Sequence, residues 1–246
     1  MNLYVEIPNQ HLEELSRFTD GDFVLAHLFE EFSEYRDFYL TRSKMFGVAC
    51  YLDNGCKELG LSIPIPEYLE IERKLKPQVI VAPDVLSDWK KTMFLTDNFL
   101  TRYKGKAQVM GVVQGKNNDE FVESVKALIT IKQIDIIGVP HDNKNRRAFI
   151  ERNVLRETDK RIHLLGTSSL SEVFRFNPSY RFQDIVSIDT RLPIDSARQG
   201  LSFLDRMWLK EHVPPECVLT EKQLELAKWN TFYYQTICHK VGANKI

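Results

Sequence analysis

The chain has 246 residues, of which 43% are hydrophobic and 27% charged, and its net charge is −1. These values are typical of a folded globular protein; they exclude a disordered chain and a protein that grips nucleic acid through a uniformly basic surface. No apolar run approaches the ~20 residues of a membrane span, and the start MNLYVEIPNQHLEE lacks the basic and apolar regions of a signal peptide. We therefore expect a cytoplasmic protein with no membrane partner.

Short apolar runs recur along the chain, with charged, helix-compatible segments between them. Nearly continuous runs of Val, Ile and Leu indicate strands buried on both faces, as in a parallel sheet. The clearest intervening helix covers residues 117–132, where Phe121 and Leu128 fall on one face. Residues 65–76 and 143–156 show a similar pattern. The runs are 2–7, 23–29, 46–52, 78–83, 108–113, 134–139, 162–166 and 184–188.

Eight β/α units in about 250 residues match the length of a minimal (β/α)8 barrel. A doubly wound sheet is the alternative, but that fold usually carries a glycine-rich phosphate loop, which this sequence lacks. We predict one α/β domain over residues 1–246, with a TIM barrel over about 1–200 and a C-terminal helical extension over about 201–246. The aromatic residues of the extension are expected in its core: Trp208, Trp229, Phe232 and Tyr233.

The four cysteines form no CxxC pair, which in a cytoplasmic protein indicates reduced thiols. Cys217, Cys238 and His239 could supply three metal ligands, but they lack the paired spacing of a zinc site. We therefore predict no bound metal.

Polar side chains stand where several of the predicted strands end. Asp53 follows the third run, Asp84 the fourth, Gln114 the fifth and Asp189 the eighth. Catalytic groups of a (β/α)8 barrel come from the carboxyl ends of its strands. Each aspartate alone is also explained as a turn residue or helix cap. Together they would face one mouth, where unpaired like charges are costly unless a ligand or a function requires them.

This set of side chains suits chemistry on a nucleoside. Two carboxyl groups that face an anomeric carbon can divide the work, with one attacking that carbon and the other moving a proton on the leaving group. A further carboxylate and an amide suit a nucleobase edge, because the carboxylate accepts from N–H groups whereas the amide both donates and accepts. A reaction that exchanges the base of a nucleoside would use all four side chains.

Residues 46–200 resemble the queuine/archaeosine-type tRNA-guanine transglycosylases and their relatives that insert 7-deazaguanines into DNA. The segment IDTRLPIDSARQG is similar to the family's Phe-Asp-Cys-Val-x-Pro-Thr-Arg-x-Ala-Arg-x-Gly, with Asp189, Pro193 and Gly200 in register. The family's Val-Gln-Gly is matched outright by residues 113–115, and its Asp-Ser-Gly-Gly loop resembles LDNG. Its Gly-Gly and Leu-Met-Gly segments are matched in part by GVP and LLG.

The resemblance implies a role for individual residues. Asp189 would be the nucleophile that forms a covalent glycosyl intermediate, and Asp53 the general acid and base. The base would be bound by the segments that follow the fourth to seventh runs, namely Asp84, Gln114, Gly115, Gly138, Val139, His141, Leu165 and Gly166. No cofactor is expected, because base exchange conserves the energy of the glycosidic bond.

Basic residues near the fourth and sixth strand ends, with one arginine of the motif, are candidates for phosphate contacts. Clusters of this kind are also typical of solvated surface. The candidates are Lys90, Lys91, Lys144, Arg146, Arg147 and Arg198.

The sequence also departs from the family. Its zinc cluster of three close cysteines and a later histidine is missing, as is much of the associated subdomain, and the aromatic residue that stacks on the base is replaced near Cys56-Lys57. We therefore expect DNA rather than tRNA as the nucleic-acid partner and a 7-deazaguanine base as the second substrate. A second copy of the chain, forming a homodimer, or an accessory protein is expected as a further partner. Two alternatives stay open: a nucleoside or nucleotide N-glycosidic hydrolase, and a catalytically inactive barrel that binds nucleic acid or a protein.

Overall fold

The computed structural model describes residues 1–45, 47–141, 146–176, 185–203 and 218–243. The strands are β1 (Asn2–Val5), β2 (Gly21–Leu25), β3 (Ala49–Asp53), β4 (Val79–Val81), β5 (Gln108–Val112), β6 (Ile134–Pro140), β7 (Arg161–Leu165) and β8 (Ile185–Thr190). Neighbours in this order pair in parallel, and β1 also pairs with β8, so the sheet is a closed barrel. The predicted (β/α)8 fold is confirmed, and each apolar run overlaps one strand.

Helices connect the strands and cover the outside of the barrel. They are α1 (Leu12–Leu15), α2 (Ala26–Glu31), α3 (Ser33–Arg42), α4 (Cys56–Leu59), α5 (Ile65–Leu75), α6 (Trp89–Arg102), α7 (Asn118–Thr130), α8 (Arg146–Phe149), α9 (Leu170–Arg175), α10 (Leu192–Arg198) and α11 (Glu221–Ala243). The predicted helices 65–76 and 117–132 are confirmed as α5 and α7. In the described ranges, none of these helices has the length and hydrophobicity that crossing a membrane requires.

The second apolar run differs from its prediction as a single strand over 23–29. The strand β2 ends at Leu25, whose register partner Asp53 is the last residue of β3. The chain then turns into α2, which buries Leu28 and Phe29 against the core. A short, fully buried apolar run can be either a strand or a helix, so its periodicity does not show where the strand ends and the helix begins.

Aromatic rings fill the barrel below its carboxyl-end mouth. Tyr4, Tyr51 and His163 project inward from alternate strands β1, β3 and β7, as expected for one layer of a packed (β/α)8 barrel. The ring centroids of Tyr4 and Tyr51 are 4.2 Å apart, and Phe23 stacks on His163 at 6.2 Å with an interplanar angle of 11°. Because these rings fill the interior, room for a ligand has to be sought above them, at the carboxyl-end mouth.

The C-terminal helix α11 packs against β1, α9 and α10, as predicted for a helical extension. It buries Tyr234 and Cys238, whereas Tyr233 is only partly buried. The prediction that Trp229 and Phe232 belong to the core is wrong, since these side chains are 44% and 50% exposed. Their ring centroids are 6.4 Å apart on the exposed surface of α11.

Candidate active site

Asp189 lies at the carboxyl end of β8, in register with Tyr4 of β1. Its side chain is buried and accepts hydrogen bonds from two neighbours. His163 Nε2 lies 2.8 Å from Oδ1, and the backbone N–H of Gly166 donates to Oδ1 and Oδ2 at 3.1 Å each. Gly166 has a φ of 62°, a conformation that favours glycine. The carboxylate therefore sits in a preformed set of donors at the mouth.

Behind Asp189 a chain of polar groups runs into the barrel. His163 Nδ1 lies 2.7 Å from Ser187 Oγ, and Ser187 Oγ lies 3.1 Å from the hydroxyl of Tyr51. Ser187, His163 and Asp189 have the order of a Ser–His–Asp hydrolase triad. Since Ser187 and His163 are both 0% exposed, the serine is shut off from any substrate, and the arrangement is not that of an acyl-transfer site.

Asp53 lies at the carboxyl end of β3 and accepts a hydrogen bond from the N–H of Gly55 at 2.8 Å. Burial raises the pKa of Asp53 well above its ordinary range, and the nearby carboxyl groups of Glu58, Asp84 and Asp189 raise it further. The Gly55 contact opposes them only in part. Asp53 is therefore a carboxyl group that keeps its proton to a higher pH than an ordinary aspartic acid.

A thermal-unfolding series tests the environment of Asp53. The unfolded chain ionises this group above about pH 4, but the folded chain does so only at a higher pH, so wild-type stability falls as the pH rises through that interval. Asp53→Asn removes this loss. We expect the variant to exceed wild type in Tm at pH 8 by about 3 °C, the shift that about 1 kcal/mol produces at this chain length, and by less at pH 5.

Asp88→Asn is the matched control, because the backbone N–H of Lys91 lowers the pKa of this partly exposed helix cap instead of raising it. Its stability change should have the opposite sign at pH 8. A Tm difference between Asp53→Asn and wild type that does not grow with pH would contradict the raised pKa.

Asp84 and Gln114, at the ends of β4 and β5, form a buried pair. Gln114 Nε2 donates to Asp84 Oδ2 at 2.6 Å, and Asn54 Nδ2 donates to Asp84 Oδ1 at 2.9 Å. The Gln114 side-chain oxygen accepts from the N–H of Ser87 at 2.9 Å. The carboxylate thus keeps acceptor capacity, and the amide keeps one N–H. The neighbouring Gly115 packs tightly against the first turn of α7, where a Cβ would lie 2.8 Å from a backbone nitrogen.

The ends of β6 and β7 meet beside Asp189. A Cβ atom at Gly138 would lie 2.9 Å from a methyl carbon of Leu165, so the leucine covers this glycine. Val139 is buried, whereas His141 is exposed on the rim, with Nε2 2.6 Å from Ser168 Oγ. Gly138, Leu165, His141 and Gly166, which donates to Asp189, lie around the same mouth. Val139 is in register with Leu164, so its side chain is on the outward face of the barrel.

A charged group that the sequence analysis missed spans the mouth. Arg191 Nε lies 3.2 Å from Glu6 Oε2, and Arg191 Nη1 lies 3.8 Å from Glu58 Oε1. Burial raises the pKa of Glu6 well above its ordinary range against the opposing effect of Arg191, and Glu58, Asp189 and Asp53 raise it further. The arginine links the end of β1, the helix after β3 and the turn after β8.

Most of the predicted phosphate-binding residues are exposed. Lys90 and Lys91 lie in the first turn of α6, next to the end of β4, and are therefore on the rim. Arg147 is exposed and lies 3.4 Å from Glu151. Arg198 is exposed in the last turn of α10, away from the strand ends. Lys144 lies outside the described residues.

Arg146 departs from its predicted role. Its side chain is buried, and Nη2 lies 2.6 Å from Glu172 Oε1. Nη1 donates to the backbone oxygens of Val139 at 2.9 Å and of Leu165 at 2.6 Å, while Nη2 lies 3.4 Å from Thr167 Oγ1. This placement argues against a phosphate contact. Instead, the guanidinium holds the ends of β6 and β7 together.

Of the site residues that were not predicted, some could have been recognised from the sequence and others could not. Glu6 follows β1 directly, and His163 interrupts an apolar run two residues before Leu165 on the inward face of β7. Both could have been noted as polar side chains at inward positions. Glu58 and Arg191 lie in a short helix and a turn, where a charged residue carries no information about its partner.

Metal ligands are not assembled at the mouth or elsewhere in the described part of the chain, where no group of three His, Cys, Asp or Glu side chains could hold an ion. Cys238 is buried in α11, and His239 Nε2 lies 2.8 Å from Asp20 Oδ1. Cys217 and Trp208 lie outside the described residues.

Comparison with known proteins supplies no family. No protein-family model and no curated protein matches this chain. Among solved structures, 71 chains match. One is the homocysteine methyltransferase of Escherichia coli in its metallated form, with a TM-score of 0.49 and 9% identity over 74% of this chain and 78% of that chain. An identity this low says nothing about the chemistry of this protein.

Proposed function

We propose that this protein is a transglycosylase that exchanges guanine for a 7-deazaguanine base in nucleic acid, with DNA preferred over tRNA. The observation that carries the proposal is the shared mouth of Asp189, a carboxylate held by two donors, and Asp53, a carboxyl group with a raised pKa. The resemblance of the segment around Asp189 to guanine transglycosylases supports the same assignment.

In the first half-reaction, Asp189 attacks C1′ of the target nucleoside. A bond forms between a carboxylate oxygen and C1′, the bond from C1′ to N9 of guanine breaks, and the electron pair of that bond goes to the base. Asp53 donates its proton to the departing guanine. The products are a covalent glycosyl ester on Asp189, a free guanine and an ionised Asp53.

The second half-reaction reverses these steps with another base. Asp53 removes a proton from N9 of the incoming 7-deazaguanine, which then attacks C1′ as the ester bond breaks. Asp189 returns to the carboxylate and Asp53 to the acid, so nothing else is consumed. Two displacements at C1′ retain its configuration.

The buried pair Asp84 and Gln114 supports recognition of a guanine-like base. The free lone pairs of Asp84 can accept from a ring N–H and an exocyclic amino group, and the remaining N–H of Gln114 can donate to a carbonyl oxygen. Guanine and 7-deazaguanines both present this pattern of donors and acceptor on one edge. Adenine lacks it, since its amino group stands where guanine has the carbonyl.

A base inside a duplex cannot reach a barrel mouth, so the target nucleotide has to be flipped or single-stranded. Lys90 and Lys91 are exposed on the rim, where they can contact the phosphates on either side of a flipped nucleotide. The absence from the sequence of the family's zinc subdomain favours DNA over tRNA.

Incorporation of labelled bases tests the proposal. The wild-type protein is incubated with radiolabelled guanine or a radiolabelled 7-deazaguanine and with duplex DNA, single-stranded DNA or tRNA. We expect label to enter DNA, more than tRNA, while a guanine-free oligonucleotide of the same length takes up none. Release of guanine that does not depend on an added base would instead indicate the hydrolase. Binding of a polymer without incorporation or release would indicate the inactive barrel.

A further inference from the structure

The two oxygens of Asp189 have different surroundings. Oδ1 accepts from His163 Nε2 at 2.8 Å and from the N–H of Gly166 at 3.1 Å, whereas Oδ2 accepts only from the N–H of Gly166, at 3.1 Å, among the described residues. A carboxylate oxygen that accepts two hydrogen bonds is better stabilised and therefore less nucleophilic. Oδ2 is consequently the oxygen left to react.

The hydrogen bonds behind Asp189 have one consistent direction. For an ionised Asp189 and a neutral imidazole, the carboxylate only accepts, so His163 carries its single ring proton on Nε2. The lone pair of His163 Nδ1 then needs a donor, which is the hydroxyl of Ser187 at 2.7 Å. Because that hydroxyl has one hydrogen, its oxygen accepts in turn from Tyr51 at 3.1 Å. We call these four residues the Asp189 relay.

Packing fixes the imidazole in this orientation. The His163 ring is 0% exposed, is stacked on Phe23, and lies 5.4 Å from the ring of Tyr51 and 6.4 Å from that of Tyr4. A ring turned over about its long axis would face Asp189 and Ser187 with the wrong atoms. The relay and the aromatic layer thus specify a single arrangement.

We infer that His163 is the positioning residue of Asp189: the relay from Tyr51 through Ser187 keeps the imidazole in the tautomer that donates from Nε2 to Oδ1 and leaves Oδ2 free to attack. The tautomer follows from the hydrogen bonds of an ionised carboxylate and a neutral imidazole, whereas the attack rests on the proposed function. His163 touches no substrate and acts through Asp189.

The tautomer is measured first, because it needs no activity. In a ¹⁵N-labelled wild-type protein at pH 7, long-range ¹⁵N–¹H correlations of His163 should show a proton on Nε2 and none on Nδ1. Ser187→Ala removes the donor to Nδ1 and should perturb this nitrogen. A proton on Nδ1 of the wild type would overturn the inference, whether or not the protein exchanges bases.

Kinetics then separate positioning from packing. His163→Leu loses the donor and should lower kcat of base exchange about 100-fold, with KM for the base within about threefold of wild type. His163→Gln places an amide N–H near the position of Nε2 and should recover at least about tenfold of that loss. Thr231→Val, which deletes a buried hydroxyl of α11 bonded to the oxygen of Ala227, is the control and should keep wild-type kcat.

Equal losses in the Leu and Gln variants, or an undiminished kcat in His163→Leu, would show that the histidine is only core packing. If the wild type exchanges no base with any polymer, the proposed function fails, and the tautomer measurement still decides the relay. The two failures therefore have different signatures.

Discussion

Asp189→Asn is expected to abolish base exchange, with a rate at least about 1,000-fold below wild type. The amide is neutral and cannot form the glycosyl ester, although its oxygen can still accept from His163 and Gly166, so the barrel should stay folded. Two measurements check this. Labelled base should fail to enter DNA, and the protein–DNA adduct expected for the wild type should be absent from a denaturing gel.

Asp22→Asn is the matched control for Asp189→Asn. Asp22 is also a buried barrel aspartate, but it lies near the amino end of β2 and is bonded to Arg42 at 2.9 Å, away from the mouth. Assayed below its Tm, this variant should exchange bases at the wild-type rate. If Asp189→Asn kept more than about a tenth of wild-type activity, Asp189 would not be the nucleophile.

Of the substitutions proposed for stability measurements, Arg146→Met should lower the free energy of unfolding most, by about 3–5 kcal/mol, or about 10 °C in Tm. The substitution leaves the Glu172 carboxylate, 15% exposed, without its partner at 2.6 Å. It also removes the donors to the backbone oxygens of Val139 and Leu165. Denaturant unfolding of both proteins at pH 7 gives the difference directly.

Arg147→Met is the adjacent control, since this arginine is exposed and its contact with Glu151 is a surface ion pair. Its stability should change by less than about 0.5 kcal/mol. The two variants also test the prediction that both arginines contact phosphates. A DNA affinity that falls in Arg147→Met but not in folded Arg146→Met would support this role for Arg147 alone. Equal stability losses would contradict the buried role of Arg146.

The barrel could be predicted from the sequence because its strands are buried on both faces and so appear as continuous apolar runs. Strand order then followed from the crossover segments. Boundaries were less accessible: the run 23–29 holds both the end of β2 and the start of α2. The strand β2 ends at Leu25, where its partner β3 also ends, at Asp53. The end of β2 therefore depends on the neighbouring strand and not on its own sequence.

The site was predictable where a residue's position in its own strand decides its direction. Asp53, Asp84, Gln114 and Asp189 follow strand ends and do lie at one mouth. The contacts of Arg146 and the Asp189 relay were not accessible, because each joins residues far apart in the chain. Arg146 and Arg147 look alike in sequence, yet only the first has Glu172 beside it.

The register of Tyr4 with Asp189 has a consequence for how the site comes into being. This pairing joins the first strand to the last, and such distant contacts form late because closing a long loop costs chain entropy before any contact rewards it. Asp189 stands on that seam, with the donor His163 on β7, the donor Gly166 directly after β7, and its register partner Tyr4 on β1. A chain still open between β1 and β8 could already hold Asp189 against its donors from the β7 side and carry Asp53 at the end of β3. The two carboxyl groups would not yet be held across one mouth, so catalytic competence should appear only with ring closure.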